Sequence, residues 1–413
     1  AAASARASAQ VFNVFTSVKE MPGYGDLVSN WYSAVVLAKT PNTRVNFIVT
    51  GAFTQKFRNL ESTFDPAATT ATRIRGVHVY SFTDATAASF QSTVLPALLG
   101  ANSCSMAFTI NADTNWMAGS PSKMLIDEII RTNAAHPFLS FGYPGFSSIG
   151  SFDQATGGLK SHNSKLENFT QQLGLRIGKP VFSFKTTVLS GTVFMSMKDP
   201  NESTPVSADL TNVLDRYSKL GFYYAYSPEL DETYLEAALA MSKSDPAAKP
   251  YGIVAAKPVP AKFRKYIVGQ IGDLRSIIGK KKINKFEIID MSGNHSFFDH
   301  VVPIIRRTNI PILTTGTLSV SLALQYEKLF IYEALPHQVD FGREVNAMFV
   351  PPSSSATDFL ALNAPKPGGG KPIAGDELTK FPWWLFGVKP AAAAMSKAEA
   401  KAANAKVTKI QNF

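Results

Sequence analysis

The stretch VFNVFTSVKEMPGYGDLVSNWYSAVVLAK, residues 11–39, joins an apolar run to an amphipathic segment through a glycine-rich turn. The run 11–18 predicts a buried strand, and the segment 26–39 predicts a helix because its apolar residues recur at helical spacing. The turn between them ends in a carboxylate, Asp26. A strand, a turn and a helix in this order predict the first half of a βαβ unit.

The same alternation continues through the first half of the chain. Short apolar runs separated by helical patterns predict right-handed βαβ units and a parallel sheet. The predicted strands are 11–18, 44–51, 77–82, 105–110 and 137–143, and the predicted helices are 26–39, 84–99 and 121–135.

A second α/β series begins near residue 221, after a less regular segment. Its first strand is followed by SPELDETYLEAALAM, which predicts a helix with Ser227 as N-cap, Pro228 at the first position and acids in the first turn. The predicted strands are 221–226, 251–256, 286–291, 310–315 and 328–334, and the later predicted helices are 299–307, 318–326 and 339–349.

Two such series predict an α/β fold of two doubly wound, Rossmann-like domains that face one another. Ligands of such sheets bind at the carboxyl ends of the strands, so the expected site is a cleft between the domains. This outline is that of the GT-B glycosyltransferases, but periplasmic-binding-like proteins share it, so the fold alone does not settle the function. The predicted bounds are 11–215 for an acceptor-side domain, 216–350 for a nucleotide-sugar-side domain and 351–413 for a C-terminal extension.

The composition changes in the extension after about residue 350. Pro-, Gly- and Ser-rich segments predict linkers, and FPWWLFGVKP at 381–390 is an aromatic cluster too short to span a bilayer. The segment 391–413 is rich in Ala and Lys. Two interpretations are open: a solvated tail whose aromatic cluster anchors on the body, or an arm that docks on another subunit.

Composition also restricts the function class. The 413 residues carry a formal net charge of +10 and 45% hydrophobic residues, which indicates a globular chain with a basic surface. Such a surface suits a phosphorylated ligand or an acidic partner. No apolar run of about 18 residues is present, so no membrane-spanning segment is expected. Nucleic acid is not expected as a partner, because GKKK at 279–282 is the nearest approach to a basic tail.

The single cysteine, Cys104, bears on the compartment. It excludes a disulfide within the chain and favours a reducing environment. The cytoplasm is expected, or a reducing organelle matrix if AAASARASAQ at 1–10 is the remnant of a transit segment.

Four motifs occur in order along residues 12–345. The first is Tyr24-Gly25-Asp26-Leu27 followed by Trp31 on a predicted helix, and the others are YPGFSSIGSFDQATGGLK at 143–160, GFYYAYSPELDETYLEAAL at 221–239 and TGTLSVSLALQYEKLFIYEALPHQVDF at 315–341. Together they resemble the bacterial protein-arginine rhamnosyltransferases, enzymes that modify an arginine of translation elongation factor P. The resemblance implies a GT-B fold, a nucleotide-sugar substrate such as dTDP-rhamnose with no further cofactor, and an acidic acceptor protein like elongation factor P.

On the acceptor side, the resemblance implies that Asp26 grips the arginine guanidinium and acts as the base. The pKa of arginine is above about 12, so its nitrogen needs a carboxylate that removes or polarises a proton. The family has a second Asp four residues earlier, where Pro22 stands here, and Glu20 is the nearest substitute. A helix N-cap is the alternative interpretation of Asp26. The other residues of the predicted acceptor-side loop are Gly23, Tyr24, Gly25 and Glu20.

On the donor side, the resemblance implies a diphosphate site at the start of the helix after residue 315. The family carries an Arg before the glycine and two acids after it, where this chain has Thr315, Thr317 and Leu318. The free N–H groups of a helix N-terminus still suit a phosphate. The predicted donor-binding residues are Tyr226, Gly316, Thr317, Ser319, His337 and Gln338. Basic residues nearby in the sequence, which either replace the missing cation or are solvated surface, are Arg306, Arg307 and Arg343.

Two functions remain open at the level of sequence. The first is inverting transfer of rhamnose, or another nucleotide-activated sugar, to a protein arginine, which the retained Asp26 favours. The second is a catalytically degenerate relative that serves as a structural or interaction subunit, with its C-terminal tail on protein subunits of an assembly. The departures on the donor side favour the second. No metal site is predicted, because His295 and His300 do not share a helix face.

Overall fold

A computed structural model shows that the chain divides into two compact units, Ala1–Ser190 and Gly191–Phe413, each described here by itself. No helix in the described part of the chain is long and apolar enough to cross a bilayer. The described residues are 10–15, 25–50, 53–68, 70–82, 86–99, 103–109, 138–142, 181–184, 206–293, 296–335, 342, 361–363 and 381–388.

The first unit is built on a seven-stranded sheet. The strands are β1 Gln10–Phe15, β2 Thr43–Thr50, β3 Thr72–Ile74, β4 Val77–Phe82, β5 Ser103–Thr109, β6 Phe138–Gly142 and β7 Val181–Phe184. The helical segments are α1 Gly25–Leu37, α2 Phe53–Leu60, α3 Ala87–Ser89, a π-helical turn Phe90–Val94 and α4 Leu95–Leu98. The strand order is β3-β4-β2-β1-β5-β6-β7, and neighbouring strands are parallel except for β3 and β4.

The strand order of this sheet reverses beside β1, which lies between β2 and β5. Without the short edge strand β3, the order is that of a doubly wound nucleotide-binding sheet, whose ligands bind where the order reverses. Helix α1 is the next described element after β1, and Asp26 is its second residue. The predicted succession of strand, turn and helix is therefore present at this point.

The motif residue Trp31 belongs to the core of the first unit. It is fully buried, and its ring centroid lies 5.1 Å from that of Phe47 and 4.9 Å from that of Phe57. Its indole Nε1 donates to Glu61 Oε1 at 2.8 Å, and Arg75 pairs with the same carboxylate. A buried indole N–H needs such an acceptor, so Trp31 holds α1 on the sheet.

The second unit is built on another seven-stranded sheet. Its strands are β8 Lys219–Tyr224, β9 Tyr251–Ala255, β10 Ile267–Gln270, β11 Phe286–Asp290, β12 Ile312–Thr315, β13 Phe330–Ala334 and β14 Ala361–Asn363. Its α-helices are α5 Ala208–Leu214, α6 Pro228–Ser244, α7 Leu274–Ile278, α8 Val302–Arg307 and α9 Thr317–Gln325. Shorter segments are the 3-10 helices Ala261–Tyr266, Ile271–Asp273 and Trp383–Phe386 and the π-helical turn Phe297–Val301.

All neighbouring strands of the second sheet are parallel, in the order β10-β11-β9-β8-β12-β13-β14. The order reverses beside β8, which lies between β9 and β12. With the edge strand β10 set aside, this is again the doubly wound order. The predicted class, two doubly wound α/β domains, is therefore confirmed.

The aromatic segment near the C-terminus packs into the core of the second unit. Phe381 and Phe386 are buried, and the Phe386 ring lies edge-on to Tyr234 of α6 with centroids 5.5 Å apart. Phe381 stacks on Phe386 at 6.0 Å. Tyr234 in turn donates its hydroxyl to the carbonyl of Pro311 at 2.7 Å. The aromatic cluster thus anchors on the body, as the first interpretation of the extension expects.

Two of the predicted helices contain a π-helical turn directly before a short α-helix. Phe90–Val94 precedes α4, and Phe297–Val301 precedes α8. Each of these α-helices has a proline as its second residue, Pro96 and Pro303. Proline lacks an N–H and its ring clashes with the carbonyl four residues earlier, so a wider turn accommodates it. The predicted helices 84–99 and 299–307 are therefore present, each with a π-helical turn followed by an α-helix.

The ten predicted strands coincide with strands of the two sheets, with shifted ends. The structure adds the short strands β3, β7, β10 and β14. The predicted helices 121–135 and 339–349 lie outside the described residues, apart from residue 342. The domain bounds 11–215, 216–350 and 351–413 and the facing of the two domains stay predictions.

Candidate functional site

The carboxyl ends of β8 and β12 lie side by side where the strand order of the second sheet reverses. The chain leaves β8 through the loop 225–227 and enters α6. It leaves β12 through Gly316 and enters α9. Doubly wound sheets bind their ligands at this position, so these two loops define the candidate site.

Glu333 in β13 ties the loop 225–227 to the sheet. Its carboxylate is fully buried and accepts the backbone N–H of Ser227 at 3.0 Å, the hydroxyl of Ser227, and the backbone N–H of Tyr226. The hydroxyl of Thr315 donates to the backbone carbonyl of Glu333 at 3.2 Å. Glu333 therefore connects the ends of β8 and β12. The side chain of Ser227, the predicted N-cap, does not cap α6, because its hydroxyl is bonded to Glu333.

A second carboxylate, Asp231, is buried in the first turn of α6, with 5% of its surface exposed. Burial raises the pKa of Asp231 to about 8, and repulsion by Glu333 adds to the shift, whereas Lys257 and the backbone N–H of Ala225 oppose it. Oδ1 of Asp231 has no hydrogen-bond partner within the described residues. Asp231 therefore keeps its proton to a higher pH than an exposed aspartate does.

Lys257, after β9, supplies positive charge at the same edge. Its Nζ lies 5.8 Å from the ring centroid of Tyr224. Burial raises the pKa of both Asp231 and Glu333, and the charge of Lys257 opposes this rise. The hydroxyl of Tyr223 is buried without a partner in the described part of the chain, and burial followed by repulsion from Asp231 raises its pKa. The carboxyl edge thus combines an acid pair, a cation and an aromatic hydroxyl.

Gly316 has φ +83° and ψ 147°, a conformation that only glycine adopts without strain. As the N-cap residue of α9, it has no side chain that can cap the helix. A Cβ atom placed on it meets nothing within 4 Å, so the space above it is open. The first N–H groups of a helix lack acceptors within the helix, so this end of α9 offers donors to a phosphate.

The substitution Gly316→Ala is expected to destabilise the second unit by about 1–3 kcal/mol, because alanine is strained at this φ and ψ even where its Cβ has room. Urea unfolding followed by circular dichroism measures the loss. Gly272→Ala is the matched control, since a Cβ there also meets nothing within 4 Å and Gly272 has no positive φ. Equal losses in the two variants would contradict backbone strain at Gly316.

The structure brings part of the predicted donor-binding set to one edge. The predicted donor-binding residues at this site are Tyr226 after β8, which is 44% exposed, and Gly316, Thr317 and Ser319 at the start of α9. The predicted residues outside the described part of the chain are His337, Gln338, Glu20, Gly23 and Tyr24. Gly25 and Asp26 open α1 of the first unit.

The candidate cations Arg306 and Arg307 lie at the opposite edge of the second sheet. They form the last turn of α8, which leads directly to the amino end of β12. Arg307 pairs with Asp215, which precedes β8. The interpretation that these two arginines replace the missing cation beside Gly316 is therefore wrong. Arg343 lies outside the described residues, and Lys257 is a cation that the structure places at the correct edge.

The prediction from sequence missed Glu333, Asp231 and Lys257. The sequence presents Asp231 as an ordinary first-turn acid of a helix. One signal for Glu333 is available, because it interrupts the apolar strand FIYEA at its carboxyl end. A buried acid in such a strand needs hydrogen-bond donors from a neighbouring element.

No protein-family model and no curated protein matches the chain. Among solved structures, the chain is similar to the spinosyn rhamnosyltransferase SpnG, with 10% identity, 98% of this chain and 96% of that chain covered, and a TM-score of 0.42. It is also similar to Phytolacca americana UGT2 complexed with UDP-2fluoro-glucose and pterostilbene, with 12% identity, 98% and 94% covered, and a TM-score of 0.47.

A third similar structure is the glycosyl transferase family 9 protein from Veillonella parvula, with 9% identity, 98% of this chain and 99% of that chain covered, and a TM-score of 0.41. These identities and TM-scores are too low to support an argument. The fold assignment therefore rests on the strand order of the two sheets. The resemblance to protein-arginine rhamnosyltransferases stays a prediction.

Proposed function

We propose that the chain is a GT-B glycosyltransferase-like protein whose second unit binds the diphosphate of a nucleotide sugar beside Gly316. The observation that carries the proposal is the open start of α9 next to the loop 225–227, at the reversal of the strand order. A helix N-terminus supplies N–H donors and the positive end of its dipole. The exposed ring of Tyr226 offers a nucleobase a surface for stacking, and Lys257 adds positive charge.

The finer proposal is inverting transfer of rhamnose, or another nucleotide-activated sugar, to an arginine of an acidic protein. It rests on the motif resemblance and on Asp26, which opens the helix after β1 of a sheet whose order reverses at that strand. A carboxylate there suits the guanidinium, whose proton has to be removed or polarised when the nitrogen attacks the sugar.

A second candidate function is that of a catalytically degenerate relative, kept as a structural or interaction subunit. Thr315, where the resembled family has an arginine, is 8% exposed and its hydroxyl is bonded to a backbone carbonyl. The loss of one charge-assisted hydrogen bond costs about 1.5–3 kcal/mol, which weakens donor affinity about tenfold or more. This observation favours a scaffold that no longer holds the donor.

Thermal unfolding with dTDP-rhamnose, dTDP or UDP-glucose distinguishes the two candidates. A nucleotide at 100 times its Kd adds about 2.7 kcal/mol of stability, so we expect a rise in Tm for the wild-type chain. The rise should persist in Gly272→Ala and shrink in Gly316→Ala, in which the first N–H groups of α9 are displaced.

No rise with any of the three nucleotides would contradict the transferase proposal and favour the degenerate relative. A rise followed by transfer of labelled rhamnose to a protein arginine would support the finer proposal. A rise in Tm without any transfer would indicate a protein that binds nucleotide sugars, and it would contradict the proposal that an arginine is the acceptor.

A further inference from the structure

Basic side chains line the amino edge of the second sheet, opposite the candidate nucleotide site. A lysine or arginine stands at or shortly before the start of every one of five adjacent strands, β11, β9, β8, β12 and β13. In that strand order, the residues are Lys285, Lys249, Lys219, the pair Arg306 and Arg307, and Lys328.

The register of the strands places the starts of β8, β9 and β11 next to one another. Lys219 is aligned with Tyr251, and Tyr251 is aligned with Phe286, the residue after Lys285. Neighbouring strands lie about 4.8 Å apart, so the first residues of β8, β9 and β11 fall within about 10 Å. Nζ of Lys285 donates to the backbone carbonyl of Asp245 at 3.3 Å. The hydrogen bond of the Ala247 N–H lowers the pKa of the Asp245 carboxyl, and the charges of Lys285 and Lys249 lower it further.

The loop before β11 extends the row of cations. Arg216 fixes this loop, because its guanidinium donates to the carbonyl of Ile278 at 3.0 Å and to that of Lys280 at 2.7 Å. Lys281 and Lys282 are exposed and make no hydrogen bond or ion pair with other described residues, and Ile283 beside them is 38% exposed. We call the following set the amino-edge belt: Lys219, Lys249, Lys281, Lys282, Lys285, Arg306, Arg307 and Lys328.

Ordinary structural roles account for part of the belt. Arg306 and Arg307 lie in the last turn of a helix, where a cation is favoured by the helix dipole. Lys285 and Lys328 donate to the backbone carbonyls of Asp245 and Thr308. Lys281 and Lys282 have neither role, because they stand in an exposed loop and bond to nothing in the described part of the chain. Lys249 is also exposed and makes no hydrogen bond or ion pair with other described residues, although its charge acts on Asp245.

We propose that the amino-edge belt is a docking surface for an acidic protein segment. Charge complementarity carries the proposal, and the exposed Ile283 beside two lysines gives the apolar contact that protein interfaces combine with polar groups. The proposal does not depend on nucleotide binding, because the belt lies at the edge away from Gly316.

The belt suits an acidic protein better than a nucleic acid or a membrane. Asp215, Asp245 and Glu327 lie at the same edge, and a duplex with a charge every ~1.7 Å would bring phosphates against them. An acidic peptide can space its carboxylates around these positions. Single-stranded nucleic acids stack on aromatic side chains, and the exposed large apolar residue of this edge is Ile283. A single exposed isoleucine also gives too little apolar surface to hold the chain on a bilayer.

Binding of fluorescent poly-L-glutamate to the full chain tests the proposal at low salt. The triple variant Lys249→Glu, Lys281→Glu, Lys282→Glu is expected to bind at least about tenfold more weakly, because three exposed attractions become repulsions. The matched control Lys39→Glu, Arg58→Glu, Arg73→Glu makes the same change in net charge at exposed cations of the first unit. It should weaken binding far less, and circular dichroism confirms that both variants are folded.

Three results would overturn the proposal. The first is equal weakening in both triple variants, which would make net charge the cause. The second is no binding of poly-L-glutamate by the wild-type chain. The third is tighter binding, through the same three lysines, of an RNA oligonucleotide or of phosphatidylserine vesicles than of poly-L-glutamate at equal salt.

Discussion

The variant Asp231→Asn is expected to be more stable than the wild type at pH 8 and to reduce the fall in stability of the second unit between about pH 4 and pH 8. In the wild type, burial and repulsion by Glu333 raise the pKa of Asp231 to about 8, against 3.8 for the exposed group. Asparagine resembles the protonated carboxyl in shape and has no charge to lose.

The direction of this effect follows from proton binding. Between pH 4 and pH 8, the unfolded chain has released the Asp231 proton while the folded chain still holds it, so the folded state is progressively disfavoured as the pH rises. The stabilisation is complete below the unfolded pKa and is lost by the time the pH passes the folded pKa of about 8. The total change is at most on the order of 6 kcal/mol, at 1.36 kcal/mol per pKa unit.

Urea unfolding at several pH values between 5 and 8, followed by circular dichroism, measures the slope. Asp245→Asn is the control with the opposite sign, because the N–H of Ala247 and the hydroxyl of Tyr251 lower the pKa of this partly exposed carboxylate. Its contribution is present at neutral pH and is lost as the pH falls, so its removal should leave the slope between pH 5 and 8 unchanged. A steep slope that persists in Asp231→Asn would show that another group binds the proton.

Most of the fold could be predicted because parallel strands are buried on both faces and therefore read as continuous apolar runs. YGIVA of β9 and FIYEA of β13 are buried throughout. Strands β3 and β14 are three residues long, with the sequences TRI and ALN, and such segments carry no periodicity. Helix α2 could have been predicted from the sequence, because its buried residues Phe53, Phe57 and Leu60 recur at helical spacing.

The location of the candidate site could be predicted, but its chemistry could not. Tyr226 and Gly316 follow predicted strands, so their common edge follows from the fold class. Ser227 and Glu333 are 106 residues apart, and their contact depends on the order β8-β12-β13, which no local pattern reveals. Arg307 shows that closeness in sequence can also mislead. It is close to Gly316 in the sequence but lies one strand length away from it, at the other edge of the sheet.

The second large effect is expected at the aromatic segment 381–388. Phe386→Ala should lower the stability of the second unit by about 3–5 kcal/mol, the usual cost of removing a buried phenylalanine from a packed core. Phe386 is 2% exposed and contacts Phe381 and Tyr234 of α6. A loss of this size lowers Tm by roughly 10 °C in a unit of about 200 residues, which differential scanning calorimetry resolves.

Tyr226→Ala is the matched control, because it also removes a large ring from the same unit but at a position that is 44% exposed. Exposed substitutions usually change stability by less than about 0.5 kcal/mol, so its Tm should stay close to that of the wild type. If the two variants have the same Tm, the segment 381–388 does not belong to the core in solution.

The packing of Phe381 and Phe386 also changes how the Lys- and Ala-rich tail has to be tested. A truncation that starts at residue 381 removes two core rings and exposes Tyr234, so it would abolish assembly by unfolding the unit even if the tail contacted nothing. A truncation that starts after Val388 keeps these rings and isolates the tail. If the tail carries an interaction, the shorter truncation should abolish association at an unchanged Tm, whereas Phe386→Ala should lower Tm with the tail still present.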